Sequence, residues 1–167
     1  MARSFRDERA EDAEAVRAVH LASFPTPAEA DLVGRLRAAG RLTVSVVADL
    51  DGAVVGHVGF SPVSTPSGGS GVGLAPLAVL DAWRRRGIGA GLVSRGLEAC
   101  ADLGVGWVVV LGDPHYYARF GFRPASTVGL VDEYGGGEAF QALELATGSL
   151  PRDAGVVTYS PEFASLE

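Results

Sequence analysis

The sequence predicts an α+β domain whose sheet is mixed and mostly antiparallel, with one parallel βαβ crossover. Helical patterns come first, followed by two apolar strand patterns joined by Asp51-Gly52. This dipeptide favours a tight antiparallel hairpin. A long helical pattern then precedes the apolar run Trp107–Leu111, and strand, helix and strand in this order favour one right-handed parallel unit. The 167 residues fit a single domain over residues 1–167.

The first half of the chain is predicted to form a short extended segment over Ser4–Arg6, then two helices and three strands. Acidic residues in the first turn, where the helix dipole stabilises them, indicate a helix over Glu11–Phe24. Two leucines at spacing i, i+4 indicate a second helix over Ala28–Ala39, which Gly40 ends. The strands of this half are predicted over Leu42–Ala48, Ala53–Phe60 and Val72–Leu80.

The second half is predicted to form a long helix, a buried strand and a set of shorter elements. The long helix runs from about Gly87 to Leu103 and precedes the strand Trp107–Leu111. A short helix and two strands are predicted over Pro114–Phe120, Phe122–Pro124 and Ala139–Leu145. The tail over residues 148–167 is predicted to be irregular surface chain.

The composition is that of a globular protein, with 47% hydrophobic and 20% charged residues. No apolar run is long enough to span a bilayer and the N-terminus has no apolar signal segment, so we expect a cytoplasmic protein. The only cysteine is Cys100, which excludes an internal disulfide framework and a cysteine-rich zinc site, and we expect no metal. All 14 basic residues are arginine, which indicates a GC-rich bacterial genome.

The net charge of −6 disfavours nucleic acid as a partner, because neutralising phosphates requires a basic face.

Although the chain is acidic overall, one segment is strongly basic. It reads Arg84-Arg85-Arg86-Gly87-Ile88-Gly89-Ala90. A helix N-terminus disfavours cations, and a bound anion among its free N–H groups reverses that preference. The two glycines let the backbone approach the anion closely. The alternative interpretation is a solvated basic turn.

Other phosphate-binding and nucleophile motifs are excluded by the residues present. A dinucleotide-binding fingerprint requires glycine where Leu92 stands, and a P-loop requires lysine, which the chain lacks. A G-x-S-x-G nucleophile elbow is also absent.

Pro76 lies within an otherwise regular strand pattern, where it removes a ladder donor. It indicates an edge, a bulge, or a point where two strands separate and leave main-chain groups free for a ligand.

These motifs resemble those of the GNAT superfamily of N-acetyltransferases. That family's central motif is a strand followed by Arg or Gln, two residues, Gly, one residue and Gly or Ala. In this chain the central motif is matched by the strand Leu77-Ala78-Val79 and by the segment from Arg84 to Ala90, which we call the arginine-glycine loop. The family's second signature, an aromatic-Tyr-x-x-aromatic-Gly-Phe run, is matched by Tyr116-Tyr117-Ala118-Arg119-Phe120-Gly121-Phe122. The two signatures occur in the family's order.

The resemblance implies a site for acetyl-CoA as co-substrate. The pantetheine arm would pair with the strand Leu77-Ala78-Val79, and the pyrophosphate would bind the N–H groups of Arg85 to Ala90. An amine would attack the thioester directly in a ternary complex, through orientation and polarisation of the carbonyl. The resemblance assigns Tyr117 the role of protonating or hydrogen-bonding the departing CoA thiolate, and we expect Tyr116 to pack.

The general base stays open, because the motif strand has no titratable group where many family members carry glutamate. Glu29, His57 and Asp113 are the candidates for base or substrate binding. Each has a structural alternative: Glu29 on a solvated helix face, His57 as a satisfied strand histidine, and Asp113 as a helix cap. A water chain without a dedicated base is a further alternative. Cys100 faces the core and is expected to be inert.

The expected acceptor is a primary amine of a small molecule, and the net charge favours a cationic one. Two alternatives are a protein acetyltransferase, acting on lysine or an N-terminus, and a regulatory acyl-CoA-binding module without turnover. We expect no nucleic-acid or membrane partner, and a homodimer stays open.

Overall fold

The computed structural model describes residues 2–166, which divide into two compact units. Within this range, the first unit comprises the residues up to Phe60, then Ala75–Ala99, and the residues from Pro161 on. The second unit comprises Ser61–Leu74 and Cys100–Ser160. No helix within residues 2–166 is long and apolar enough to cross a membrane.

The first unit contains an antiparallel meander. It is formed by β1 (Arg3–Asp7), β2 (Val44–Leu50) and the first part of β3 (Ala53–Ser64). Strand β2 pairs antiparallel with both of the others. The predicted hairpin is confirmed, since Asp51 and Gly52 connect β2 to β3 with φ angles of 51° and 91°. Positive φ at both turn positions is the geometry that Asp-Gly favours.

Two helices of the first unit pack on this meander. They are α1 (Ala13–Ser23) and α2 (Ala28–Ala38), so the predicted helices are confirmed with small shifts at their ends. A short 3-10 turn precedes α1 and includes part of the predicted first turn. Val16, Val33 and Val47 form a buried cluster, one residue from each helix and one from β2. Burying apolar side chains in this way is the dominant stabilising term of such a layer.

Strand β4 (Ser70–Val79) enters the first unit at Ala75, and α3 (Ile88–Asp102) follows it. The helix approaches the meander closely through glycine. A Cβ on Gly91 would overlap the Phe5 ring, and one on Gly96 would overlap the Phe60 ring. Both separations would be shorter than any allowed carbon contact, so a larger residue at either position would displace the helix that begins at the arginine-glycine loop.

The second unit contains the predicted parallel pairing. Its remaining elements are β5 (Trp107–Leu111), α4 (Pro114–Ala118), β6 (Arg123–Pro124), β7 (Leu130–Asp132), β8 (Phe140–Glu144) and β9 (Gly155–Tyr159). The first part of β4 runs parallel to β5, from Val72↔Val108 to Leu74↔Val110. Strand β8 pairs antiparallel with β5 and with β6. The predicted α+β class with a mixed sheet and a βαβ crossover is therefore confirmed.

The prediction that residues 148–167 are irregular is wrong for residues 155–159 and 161–166, and residue 167 lies outside the described residues. Strand β9 lies in this tail, pairs parallel with β7, and pairs antiparallel with the end of β3 through Val63↔Tyr159. A 3-10 helix over Pro161–Leu166 follows in the first unit, where Arg41 holds Glu162 through two hydrogen bonds. This tail is ordered by pairing with strands that are distant in the sequence. Its partner β7 is too short to show a strand pattern of its own.

Candidate active site

The arginine-glycine loop has an unusual backbone between β4 and α3. Arg85 has a φ angle of 63° and Gly87 a φ angle of 77°. A left-handed conformation is uncommon for a residue with a side chain, and such positions concentrate at functional sites. Glycine suits the second position, since it adopts positive φ without steric cost. The turn points the chain into α3 immediately after it.

The N-terminus of α3 offers main-chain donors to an anion. The first hydrogen bond of the helical ladder joins Gly91 N–H to the carbonyl oxygen of Gly87. The N–H groups of Ile88, Gly89 and Ala90 therefore precede the first position that has an acceptor within the helix. A Cβ on Gly87 would meet no atom within 4 Å, so the loop is open on that side. Free N–H groups, a helix dipole and open space are the features of a phosphate site.

The arginine side chains help to shape the loop. Arg84 Nε donates to the carbonyl oxygen of Val79 at 3.1 Å, and its Nη1 donates to Asp81 Oδ1 at 3.2 Å. The Arg86 guanidinium lies 5.0 Å above the Trp83 ring. Arg84 is thus engaged within the turn, while the guanidinium of Arg86 contributes a cation–π contact beside it.

The loop is also tied to β1, because Arg3 Nη1 donates to the carbonyl oxygen of Arg86 at 2.8 Å. A cavity of about 310 Å³ lies beside this contact and is lined by Arg3, Leu50, Trp83, Arg86 and Ile88. Two guanidinium groups at one cavity add positive charge next to the N-terminus of α3. This charge favours an anionic ligand at the loop.

The motif strand Leu77-Ala78-Val79 lies at the end of β4, in the first unit. Ala78 is buried, and its two neighbours are half-buried. The parallel ladder between β4 and β5 ends at Leu74, before the cis peptide bond from Ala75 to Pro76. The proline thus follows the end of a ladder, as its missing N–H group requires.

Tyr117 lies in the second unit on α4, and its ring is packed among aromatic side chains. Its centroid is 5.0 Å from that of Tyr116 and 5.7 Å from that of Phe122. Gly112 allows this position, since a Cβ there would lie 2.7 Å from the Tyr117 ring. Burial, followed by the neighbouring Tyr116, raises the pKa of Tyr117 to about 12. The phenol is therefore protonated at neutral pH and is a hydrogen-bond donor.

Tyr116 is less buried than Tyr117 and contacts Arg119, whose guanidinium lies 4.4 Å above the Tyr116 ring. Burial raises the pKa of Tyr116 as well. The two tyrosines thus differ in their surroundings, with one ring enclosed and the other covered by an exposed cation. Tyr116 packs, as the sequence predicts.

The three candidates for the base differ in their contacts. Asp113 Oδ1 accepts a hydrogen bond from His115 N–H at 2.9 Å and caps α4, which is the structural alternative for this residue. Glu29 lies in the first turn of α2, and its Oε1 atom is buried without a hydrogen-bond partner. His57 is fully buried on β3 and contacts a second histidine, His20 of α1.

His20 is the functional candidate that sequence reasoning missed. Its Nε2 atom lies 2.8 Å from His57 Nδ1, and the two rings meet edge to face. Burial, followed by the charge of Arg37, lowers the pKa of His20 to about 4. Burial also holds the pKa of His57 well below its usual value, with His20 and Arg37 as further causes. Both imidazoles are therefore neutral at physiological pH.

Comparison with known proteins places these features in a family. Residues 7–122 match the model of the acetyltransferase (GNAT) family. The chain is 42% identical over 155 residues to the uncharacterised N-acetyltransferase YhbS of Escherichia coli K12, covering 91% of this chain and 93% of the relative. It is 36% identical over 121 residues to the uncharacterised N-acetyltransferase YjhQ of the same strain, covering 69% of this chain and 66% of YjhQ.

Two solved structures are similar along nearly their full length. The crystal structure of Escherichia coli YhbS in complex with CoA has a TM-score of 0.91 and 40% sequence identity, and covers 97% of this chain and 92% of that chain. A GNAT acetyltransferase from Brucella melitensis in complex with acetyl-CoA has a TM-score of 0.80 and 36% identity, and covers 97% of this chain and 98% of that chain. The chain therefore belongs to the GNAT family of acetyltransferases, as its two signatures predict.

Proposed function

We propose that this protein transfers the acetyl group of acetyl-CoA to a primary amine of a small molecule, by direct attack in a ternary complex. The observation that carries the proposal is the open N-terminus of α3 behind the left-handed turn at Arg85 and Gly87. The complexes of its relatives from Escherichia coli and Brucella melitensis contain CoA and acetyl-CoA. A member of the same family with a free helix N-terminus at the matching motif is suited to the same donor.

In this proposal the donor is held by main-chain groups and positive charge. The pyrophosphate binds the N–H groups of the loop from Arg85 to Ala90, with Arg84 shaping the turn that presents them. The pantetheine arm pairs with Leu77, Ala78 and Val79, whose N–H groups also polarise the thioester carbonyl. Holding thioester and amine side by side supplies much of the rate through orientation, and hydrogen bonds to the developing oxyanion supply more.

Tyr117 stabilises the departing thiolate by donating a hydrogen bond. Its pKa of about 12 makes it a far weaker acid than an alkyl thiol, whose pKa is about 8.5. Full transfer of the phenolic proton to sulfur is therefore uphill by roughly three orders of magnitude. A hydrogen bond to the charged sulfur is strong without that transfer, because charge-assisted bonds are about twice as strong as neutral ones.

We expect acetyl-CoA to raise the melting temperature of the full-length protein, because the proposed donor site exists only in the folded chain. A ligand at about 100 times its Kd adds about 2.7 kcal/mol to the free energy of unfolding. Thermal melts with and without acetyl-CoA measure this effect, and ATP at the same concentration controls for general binding of phosphates. An unchanged melt at a large excess of acetyl-CoA would contradict the proposal.

We expect cationic primary amines to be better acceptors than anionic ones. The net charge of −6 steers cations, and the buried, unpartnered Oε1 of Glu29 is suited to accept from an ammonium group. A panel of amines with CoA release as the readout measures the preference. Glu29→Gln should raise KM for the amine and leave Kd for acetyl-CoA unchanged. A phosphorylated amine as the best acceptor, or a preference for peptides, would contradict this assignment.

A further inference from the structure

A continuous chain of polar side chains runs through the interior of the first unit. Arg37 Nη2 donates to Glu8 Oε2 at 2.6 Å, and Ser45 Oγ donates to Glu8 Oε1 at 2.8 Å. Ser45 Oγ also lies 2.7 Å from His57 Nε2, and His57 Nδ1 lies 2.8 Å from His20 Nε2. The side chain of Glu8 is 8% exposed, whereas both histidines are fully buried. The chain thus leads from near the surface into the core.

The carboxylate at one end fixes the direction of every hydrogen bond in this chain. An ionised carboxylate only accepts, so the single proton of the Ser45 hydroxyl points to Glu8. Ser45 must then accept from His57, which places the proton of His57 on Nε2. His57 Nδ1 is left as an acceptor, so His20 donates from Nε2. The remaining nitrogen, Nδ1 of His20, consequently carries a lone pair and no proton.

That terminal nitrogen is buried and has no hydrogen-bond partner. Leaving a buried acceptor unpaired is unfavourable, and such groups are rare in folded proteins. The unpaired nitrogen indicates that the chain is incomplete without a proton donor.

The chain also lies next to the motif strand. A Cβ on Gly59 would lie 3.6 Å from His57 Cε1 and 3.5 Å from the carbonyl oxygen of Ala75. Leu42 Cδ1 would lie 3.1 Å from the same Cβ, so only glycine at this position lets the imidazole, Leu42 and β4 pack together. Ala75 is two residues before Leu77, where the thioester arm is proposed to pair. The His57 ring is therefore close to the segment of β4 that leads into the proposed donor site.

We infer that Glu8, Ser45, His57 and His20 form a proton relay that removes the proton lost by the amine during acetyl transfer. This inference rests on the proposed function. The proton passes from the amine nitrogen to His20 Nδ1, while His20 Nε2–H passes to His57 Nδ1. His57 Nε2–H passes to Ser45 Oγ, and the hydroxyl proton of Ser45 passes to Glu8. Four N–H or O–H bonds form and four break, and Glu8 then releases the proton to water.

The relay transfers protons without forming an imidazolium ion. Each imidazole accepts a proton on one nitrogen and gives one from the other, so both stay neutral throughout. This suits their surroundings, since burial and Arg37 oppose a positive charge on either ring. His20 Nδ1 is covered by protein atoms, and the His20 ring stacks on that of Phe24 with 6.0 Å between centroids.

Ser45 offers a matched pair of variants, because it links the imidazoles to the carboxylate without lying at the terminal nitrogen. Ser45→Ala removes the hydroxyl and breaks the relay, whereas Ser45→Thr keeps the hydroxyl on a residue that suits a strand. We expect kcat to fall about 10-fold or more in Ser45→Ala, with Kd for acetyl-CoA unchanged, and to recover in Ser45→Thr. The solvent isotope effect should show several protons in flight in the wild type and fewer in Ser45→Ala.

Nitrogen-15 NMR of the full-length protein tests the direction of the chain without turnover. At neutral pH both imidazoles should be Nε2–H tautomers in the wild type and in Ser45→Thr, and this order should be lost in Ser45→Ala. Any other tautomer of His20 in the wild type overturns the inference. So does full kcat in Ser45→Ala when chemistry limits the rate. A wild type that acetylates no amine contradicts the proposed function instead, while the tautomers still decide the direction of the chain.

Discussion

Gly87→Glu is expected to abolish binding of acetyl-CoA, with a Kd at least about 10³-fold higher than that of the wild type. The substitution places a carboxylate on the open side of the loop, where the pyrophosphate is proposed to bind. Two unit charges about 4 Å apart repel by about 4 kcal/mol at an effective dielectric constant of about 20, which corresponds to roughly three orders of magnitude in affinity. Titration calorimetry with acetyl-CoA measures the loss.

The control must separate charge repulsion from backbone strain, because Gly87 has a positive φ angle. Gly68→Glu is suitable, since Gly68 has a φ angle of 90° and a Cβ on it, as on Gly87, would meet no atom within 4 Å. It should destabilise the fold by a similar amount and leave the affinity for acetyl-CoA unchanged. Gly87→Ala should weaken binding only slightly. Equal losses of affinity in Gly87→Glu and Gly68→Glu would show that strain, not a phosphate site, explains the result.

The elements that the sequence predicted best are those defined by their own residues. The bounds of β5 coincide with the predicted run Trp107–Leu111, because five apolar residues stand between Gly106 and Gly112. The turn into α3 was predictable for a similar reason, since three arginines at a helix N-terminus are unfavourable unless an anion is bound there. Local chemistry was sufficient in both cases.

The elements that were missed depend on partners distant along the chain. Strand β9 contains the β-branched run Val156-Val157-Thr158, which favours a strand, but it follows an irregular stretch rich in turns. Its partner β7 has three residues, fewer than a periodic pattern needs. A pairing of this kind is stabilised only once the rest of the unit has formed, so no window of the sequence reveals it.

The contact between His20 and His57 at the candidate site was likewise not predictable from the sequence. The helical period correctly places His20 on the buried face with Val16 and Val19. His57 stands on a strand 37 positions later, and nothing in either segment indicates that the two rings meet. Only the packing of α1 on the meander brings them together. Functional groups assembled across elements are therefore less predictable than a loop whose residues are contiguous.

Tyr117→Phe is expected to lower kcat about 10²-fold while leaving Kd for acetyl-CoA within a factor of two or so. The substitution keeps the ring and its contacts with Tyr116 and Phe122, and removes only the hydroxyl. A hydrogen bond to the departing thiolate exists mainly in the transition state, so its loss appears in kcat and not in binding of the donor. Removing one preorganised donor to a developing anion typically costs about 10²–10³-fold, and a thiolate, as a fairly stable anion, lies at the low end.

Tyr116→Phe is the matched control, because it removes a hydroxyl from the neighbouring ring on the same short helix. It should change kcat by less than about twofold and leave the melting temperature of the protein close to that of the wild type. Pre-steady-state measurement of CoA release identifies the step that limits the rate in each variant. If chemistry is limiting and Tyr117→Phe keeps full turnover, the thiolate leaves without help from this phenol. Equal losses in the two variants would instead point to the packing of α4, since both rings contact Phe120.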